Sequence, residues 1–148
     1  MFIRQLFDPE SSTYTYLVAD RAAGVAALID PVREQLERDL QQVRELGLRL
    51  THVLDTHVHA DHLSGGPALA ERTGALYCLH ASADVAMPFT PLEDDGEIEL
   101  GNVRVRVLHT PGHTPESVCL VVTDLRRGPE PWFVLTGDTL FVGSVGRP

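Results

Sequence analysis

Three short stretches of the chain carry side chains that bind metal ions: Thr56-His57-Val58-His59-Ala60-Asp61-His62, His109-Thr110-Pro111-Gly112-His113-Thr114-Pro115 and Thr136-Gly137-Asp138-Thr139. The first packs three imidazoles and a carboxylate into six residues. Polar atoms at that density cannot sit in a core unless each finds a partner. His57 and His59, alternate residues at the end of a strand, can point the same way, and the turn after them lets Asp61 and His62 face the same spot. Nitrogen and oxygen donors converging on one point are what a divalent metal requires. In the second stretch, Pro111, Gly112 and Pro115 make a rigid loop that holds His113 at a set distance. In the third, the carboxylate of Asp138 stands just past a strand end. Their joint occurrence is the signal, because His113 alone reads equally as a loop-packing residue and Asp138 alone as a turn former.

The other histidines, His52, His80 and His109, stand singly on or beside apolar strands and read as structural residues with local hydrogen-bond partners. Arg104 and Arg106 alternate with valines, as on a solvated strand face. Cys78 and Cys119 form neither a disulfide framework nor a CxxC pair and read as reduced core thiols.

The elements that position these groups follow from periodicity. Phe2–Phe7 and Thr13–Val18 alternate as strands, joined by the turn cluster Asp8 to Ser12. Val25–Ile29 is a third apolar run, closed by Asp30-Pro31. Leu36, Leu40, Val43 and Leu46 recur at helical spacing, with Gly47 placed to end the helix. Leu50–Leu54 is a buried strand running into the histidine cluster. Pro67 opens a second helix, Ala68 to Thr73, with Gly74 beyond its end, and Ala75–Leu79 is a strand. Met87 to Gly96, rich in proline and acid, reads as loop. Ile98–Leu100 and Val103–Leu108 flank the hairpin signal Gly101-Asn102. Ser117–Val122 and Trp132–Thr136 complete a mixed α/β (α+β) protein, with a polar loop at Asp124–Pro131 between them.

Composition bounds the function. With 148 residues, 43% hydrophobic and 22% charged, the chain has the size and make-up of one globular domain, residues 1–148. Its net charge of -9 comes from 21 acidic and 12 basic residues, and every basic residue is Arg. That balance argues against nucleic acid as a partner. The lack of Lys excludes Schiff-base chemistry and a P-loop. There is neither a membrane-length apolar run nor a signal-peptide pattern at the N-terminus, so no membrane partner and a cytoplasmic location are expected.

The run THVHADH, then PGHT, then GD resembles the metallo-β-lactamase superfamily, in residue order as well as type. The stretches IRQLFDPESSTYTYLVAD, ALIDPV, RELGLRLTHVLDTHVHADHLSGG and TGDTLFVGSVGRP look like its persulfide dioxygenase family. The resemblance implies an αββα sandwich with metal ligands at strand ends. It further implies one Fe(II) held by His57, His113 and Asp138, a two-His, one-carboxylate set that leaves positions open for substrate and O2. The implied reaction oxidises a glutathione-type persulfide with O2 to sulfite and thiol. Asp61 and His62 would then hydrogen-bond metal-bound water or orient the ligands, and His59 is an additional or alternative ligand.

A thioester hydrolase of the glyoxalase II type is the other enzymatic reading. It would bind zinc twice, one ion on His57, His59 and His113 and the other on Asp61 and His62, with Asp138 bridging. On ligand types alone, three histidines suit zinc at least as well as iron. Members of the family continue well past Pro148, so the chain is expected to hold the N-terminal part of the sandwich. A half-sandwich would expose an apolar sheet face and unpaired strand edges, which a homo-oligomer or a second chain could complete. An inactive metal-binding fragment is the third reading.

Overall fold

The computed structural model describes residues 1–148. β1 (Phe2–Asp8) and β2 (Thr13–Asp20) form an antiparallel hairpin. Its turn is closed by Asp8, whose Oδ2 accepts the backbone N–H and the hydroxyl of Ser11 at 2.9 and 2.6 Å, an Asx-type closure. β3 (Val25–Ile29) lies antiparallel to β2. From here the chain changes mode. α1 (Leu36–Glu45), entered through a 3-10 turn at Arg33–Gln35, carries it to β4 (Arg49–Leu54), and α2 (Gly66–Thr73) carries it to β5 (Leu76–His80). β3, β4 and β5 are mutually parallel. A helix per crossover is what parallel neighbours demand.

The apolar continuity of β3 follows from this layout. Ala26 and Leu28 pack under the helices with Leu40, Val43 and Leu69, whereas Ala27 and Ile29 face a second sheet. That sheet has the order β10-β9-β8-β7, built from β7 (Glu97–Leu100), β8 (Val103–His109), β9 (Val118–Asp124) and β10 (Phe133–Leu135). Val103, Val105 and Val107 interdigitate with Leu120 and Val122 and with Leu54 and Cys78 of the first sheet. The layers are therefore helices, six-stranded sheet, four-stranded sheet. No helix is long and apolar enough to cross a membrane.

Three features differ from expectation. The Met87–Gly96 segment contains a short strand, β6 (Thr90–Leu92), parallel to β5 at the sheet edge. Pro91 hides it in the sequence, yet an edge position tolerates a residue with no N–H. After β10, a small hairpin of β11 (Leu140–Phe141) and β12 (Ser144–Val145) is present. The outer face of the second sheet is apolar over only half its width. Alternation in β7 and β8 puts Glu97, Glu99, Arg104 and Arg106 there, with Arg104 paired to Glu97 at 3.3 Å. The β9–β10 half of the face carries Cys119, Val121 and the exposed Val134, and Trp132 and Leu140–Val142 are further exposed apolar side chains. Open edges do remain at β1, β6, β7 and β10.

Candidate metal centre

Because β3 and β4 run parallel with Ile29 beside Leu54, the residues that follow them emerge together. Asp30 adopts φ +52 and its carboxylate accepts the Thr56 N–H at 2.7 Å. Asp55, also buried, accepts the Tyr77 hydroxyl at 2.7 Å. These contacts set the start of the histidine loop, in which His57 is only 3% exposed. The loop is then tied to the second motif. Val58 donates its N–H to Glu116 Oε1 at 2.8 Å, and Val118 donates its N–H to the Thr56 carbonyl at 2.9 Å. The second motif is held by Thr110 N–H to the Ser117 carbonyl, 2.8 Å, and by Thr114 N–H to Ser117 Oγ, 3.1 Å. The third piece is a 3-10 turn, Gly137–Thr139. Gly137 has φ +47 and packs so closely on Thr56 that a Cβ there would lie 2.4 Å from Thr56 Oγ1.

Folding thus brings His57, His113 and Asp138 together. One donor atom from each lies within 4.8 Å of the others, with His113 Nε2 3.6 Å from Asp138 Oδ2. The His57 and His113 rings meet edge-on, centroids 5.0 Å apart. Burial, with the neighbouring His59, holds the His57 imidazole below its usual pKa against the pull of Asp30 and Asp138, which favours the neutral form that ligates. His57 Nδ1 is 3.0 Å from Thr56 Oγ1 and His113 Nδ1 is 2.8 Å from the Arg147 carbonyl. One nitrogen of each ring is left for a further partner.

This donor set fits a divalent transition metal. Two donors bound at about 2.1 Å to one ion stand roughly 3.0–3.4 Å apart, so the His113–Asp138 pair at 3.6 Å closes with a few tenths of an ångström of movement, and the pairs with His57 lie within 4.8 Å.

His59 is placed differently. Its Nε2 is 3.2 Å from Asp30 Oδ1 and 3.9 Å from Asp55 Oδ1. Burial disfavours its charge, but the hydrogen bond to Asp30 and the charges of Asp30, Asp55 and Asp61 outweigh that and push its pKa up to about 9. Asp61 is exposed and meets His62 Nδ1 at 3.2 Å, where Thr13 Oγ1 also lies 3.3 Å away. His62 Nε2 is buried without a partner. His59, Asp61 and His62 form a second set of donors within 4.8 Å of one another, and Asp30, Asp55 and His59 a third. A cavity of about 650 Å³ opens beside Asp138, Asp61 and His59, walled by Tyr14, Tyr16 and Phe141.

The remaining histidines stay outside the cluster. His80 and His109 stack on each other at 3.9 Å, with His109 Nε2 2.8 Å from the Pro115 carbonyl, and His52 meets Thr51 Oγ1 at 2.9 Å. Cys78 and Cys119 are free and buried. Sequence reasoning missed Asp30, Asp55, Thr56 and Glu116. Asp30 had a visible signal, an Asp-Pro closing an apolar strand, which reads as a turn until β4 is paired beside it.

Comparison with known proteins agrees with this architecture. The mitochondrial persulfide dioxygenase ETHE1 of Bos taurus is 38% identical over 147 residues, covering 99% of this chain and 56% of the relative. The chain therefore spans about half the length of such curated relatives. The crystal structure of ETHE1 from Myxococcus xanthus superposes with TM-score 0.89 at 47% identity, over 99% of this chain and 61% of that one. A metallo-beta-lactamase from Staphylococcus aureus gives TM-score 0.93 at 35% identity, over 99% and 44%. A protein solved in a di-iron-bound form gives 0.73 at 29%, over 99% and 76%. The superfamily pattern itself matches residues 8–148, and the chain belongs to the metallo-beta-lactamase superfamily.

Proposed function

We propose that the protein works as a mononuclear, Fe(II)-dependent persulfide dioxygenase. The observation that carries this reading is the asymmetry of the cluster. His57, His113 and Asp138 bring one donor atom each within 4.8 Å of one another, whereas His59 gives its Nε2 to Asp30 and Asp55 and keeps only Nδ1, which lies 4.0 Å from Asp61. That arrangement supports one ion on two histidines and one carboxylate. The similarity to persulfide dioxygenases supports the chemistry.

The balanced reaction is R–S–SH + O2 + H2O → R–SH + sulfite + 2 H⁺: the terminal sulfur is oxidised, O2 is reduced, and the S–S bond breaks with the thiol as leaving group. An iron ion held by His57, His113 and Asp138 supplies binding for sulfur and O2 and the redox capacity. The chain supplies the rest. The cavity beside Asp138, with Tyr14, Tyr16 and Phe141 on its walls, receives the organic part of the persulfide and holds the sulfur near the ligands. Asp61, exposed and hydrogen-bonded to His62, hands protons to solvent.

The test is O2 uptake with glutathione persulfide after anaerobic Fe(II) loading, with sulfite counted. Uptake matched by sulfite supports the reading. Hydrolysis of a glutathione thioester without persulfide-dependent uptake overturns it. One observation favours that second reading, a two-zinc thioester hydrolase: the unpartnered Nε2 of His62 beside Asp61 and His59.

A further inference from the structure

The Thr56 hydroxyl has one proton and two neighbours that compete for it. Thr56 is 1% exposed and Asp30 5% exposed, so water does not intervene freely. Thr56 Oγ1 lies 3.1 and 3.0 Å from the two oxygens of Asp30 and 3.0 Å from Nδ1 of His57. A carboxylate accepts only, and a hydroxyl donates once. If the hydroxyl proton went to His57, the hydroxyl oxygen would face both Asp30 oxygens with no proton between them. Only one arrangement puts a proton between Thr56 and each of its two neighbours: Thr56 O–H donates to the Asp30 carboxylate, and His57 Nδ1–H donates to Thr56 Oγ1.

We infer that Thr56, oriented by Asp30, is a positioning residue that locks His57 in its Nδ1–H tautomer and reserves Nε2 as the metal-binding nitrogen. A hydrogen bond on one ring nitrogen sets which nitrogen binds the ion. The inference rests on the reading that His57 is a ligand. Thr56 serves the third motif too, since its side chain fills the space in which a Cβ on Gly137 would sit, next to Asp138. The main-chain bonds of Thr56, to Asp30 and from Val118, do not involve its hydroxyl. Thr56→Val therefore keeps the shape and the backbone ties while removing the relay, and Thr56→Ser keeps the relay.

The test uses the metal-free protein at pH 8, with long-range ¹H–¹⁵N spectra reporting the His57 tautomer. Binding of Zn(II), a redox-silent probe, is measured by competition with a chelator. The wild type is expected to show Nδ1–H. Thr56→Val should lose that preference and bind zinc about 10- to 100-fold more weakly, and Thr56→Ser should restore both. An Nε2–H tautomer in the wild type overturns the inference. So does a folded Thr56→Val protein with wild-type tautomer and affinity. If Thr56→Val does not fold, the wild-type tautomer and the Ser variant decide alone. Failure of the dioxygenase assay leaves these readouts untouched, so the two conclusions fail separately.

Discussion

Two glycines flank the candidate ligands, and the structure predicts opposite fates for them when a methyl group is added. At Gly137 the new Cβ would stand 2.4 Å from Thr56 Oγ1 and 2.8 Å from Thr56 Cβ, on a backbone at φ +47. The left-handed conformation costs a non-glycine residue about 1–2 kcal/mol, and overpacking adds about 1–3 kcal/mol. A destabilisation of about 3 kcal/mol follows, a shift of roughly 1–2 M in the urea midpoint. Relief of the overlap requires roughly 1 Å of movement. Thr56 is held by Asp30 and packed against His57, so the turn carrying Asp138 is what yields. Metal–ligand bond lengths vary by only about 0.2 Å, so that larger displacement works against the Asp138 bond, and metal affinity should fall by roughly 10- to 100-fold. At Gly112, beside His113, a Cβ meets nothing within 4 Å. Gly112→Ala should stay within about 0.5 kcal/mol of wild type. Urea unfolding of the metal-free variants and zinc competition measure both quantities. If the two variants behave alike, the close packing of the third motif on Thr56 is not what places Asp138.

Other consequences concern stability and its pH dependence. Asp20 is fully buried and accepts hydrogen bonds from Ala22 N–H, Asn102 N–H and both Arg126 Nη atoms at 2.8–3.1 Å, linking the two sheets. Asp20→Ala should cost about 3 kcal/mol, less than the sum of its bonds because water can reach the exposed donors; chemical denaturation near pH 7 measures it, and a loss below 1 kcal/mol contradicts it. Burial opposes ionisation of Asp20, but the bonds from Asn102 and Arg126 overcome it and hold its pKa below the usual range. Its contribution is therefore present above about pH 4 and fades as acid reaches the folded-state value. Asp39 is the reverse case. Burial pushes its pKa up to about 6 despite Arg38. Its contribution is greatest below about pH 4 and is lost by about pH 6, an order of 3 kcal/mol. Asp39→Asn should flatten that part of the stability profile, and profiles that run parallel between pH 4 and 7.5 would refute it. Cys78→Ser should leave metal content and O2 uptake near wild type, because Cys78 packs in the core between the sheets, outside the donor sets.

Much of this was legible in the sequence where local pattern decides the outcome. β3 has the expected bounds, the Gly101-Asn102 turn joins β7 to β8, and α1 uses Leu40 and Val43 as its buried face. The three donor-bearing motifs do meet. What the sequence could not rank is the histidines within THVHADH. His57 and His59 look equivalent there, and the residue that separates them, Asp30, lies 29 positions upstream of His59 and reaches it only through the β3–β4 pairing. β6 was hidden for a related reason: Thr90-Pro91-Leu92 has no strand pattern of its own and is held by the neighbouring edge of β5. The charged half of the second sheet's outer face was already present in the alternation of Arg104 and Arg106 with valines, whereas Val121 and Val134 make the β9–β10 half apolar.

Metal stoichiometry after anaerobic loading with Fe(II) and, separately, Zn(II) tests the single-ion site on His57, His113 and Asp138 most directly. It is measured for the wild type, His62→Ala and Asp138→Ala. About one ion per chain is expected in the wild type and in His62→Ala, and almost none in Asp138→Ala. Two ions per wild-type chain falling to one in His62→Ala, or full retention in Asp138→Ala, would contradict that site.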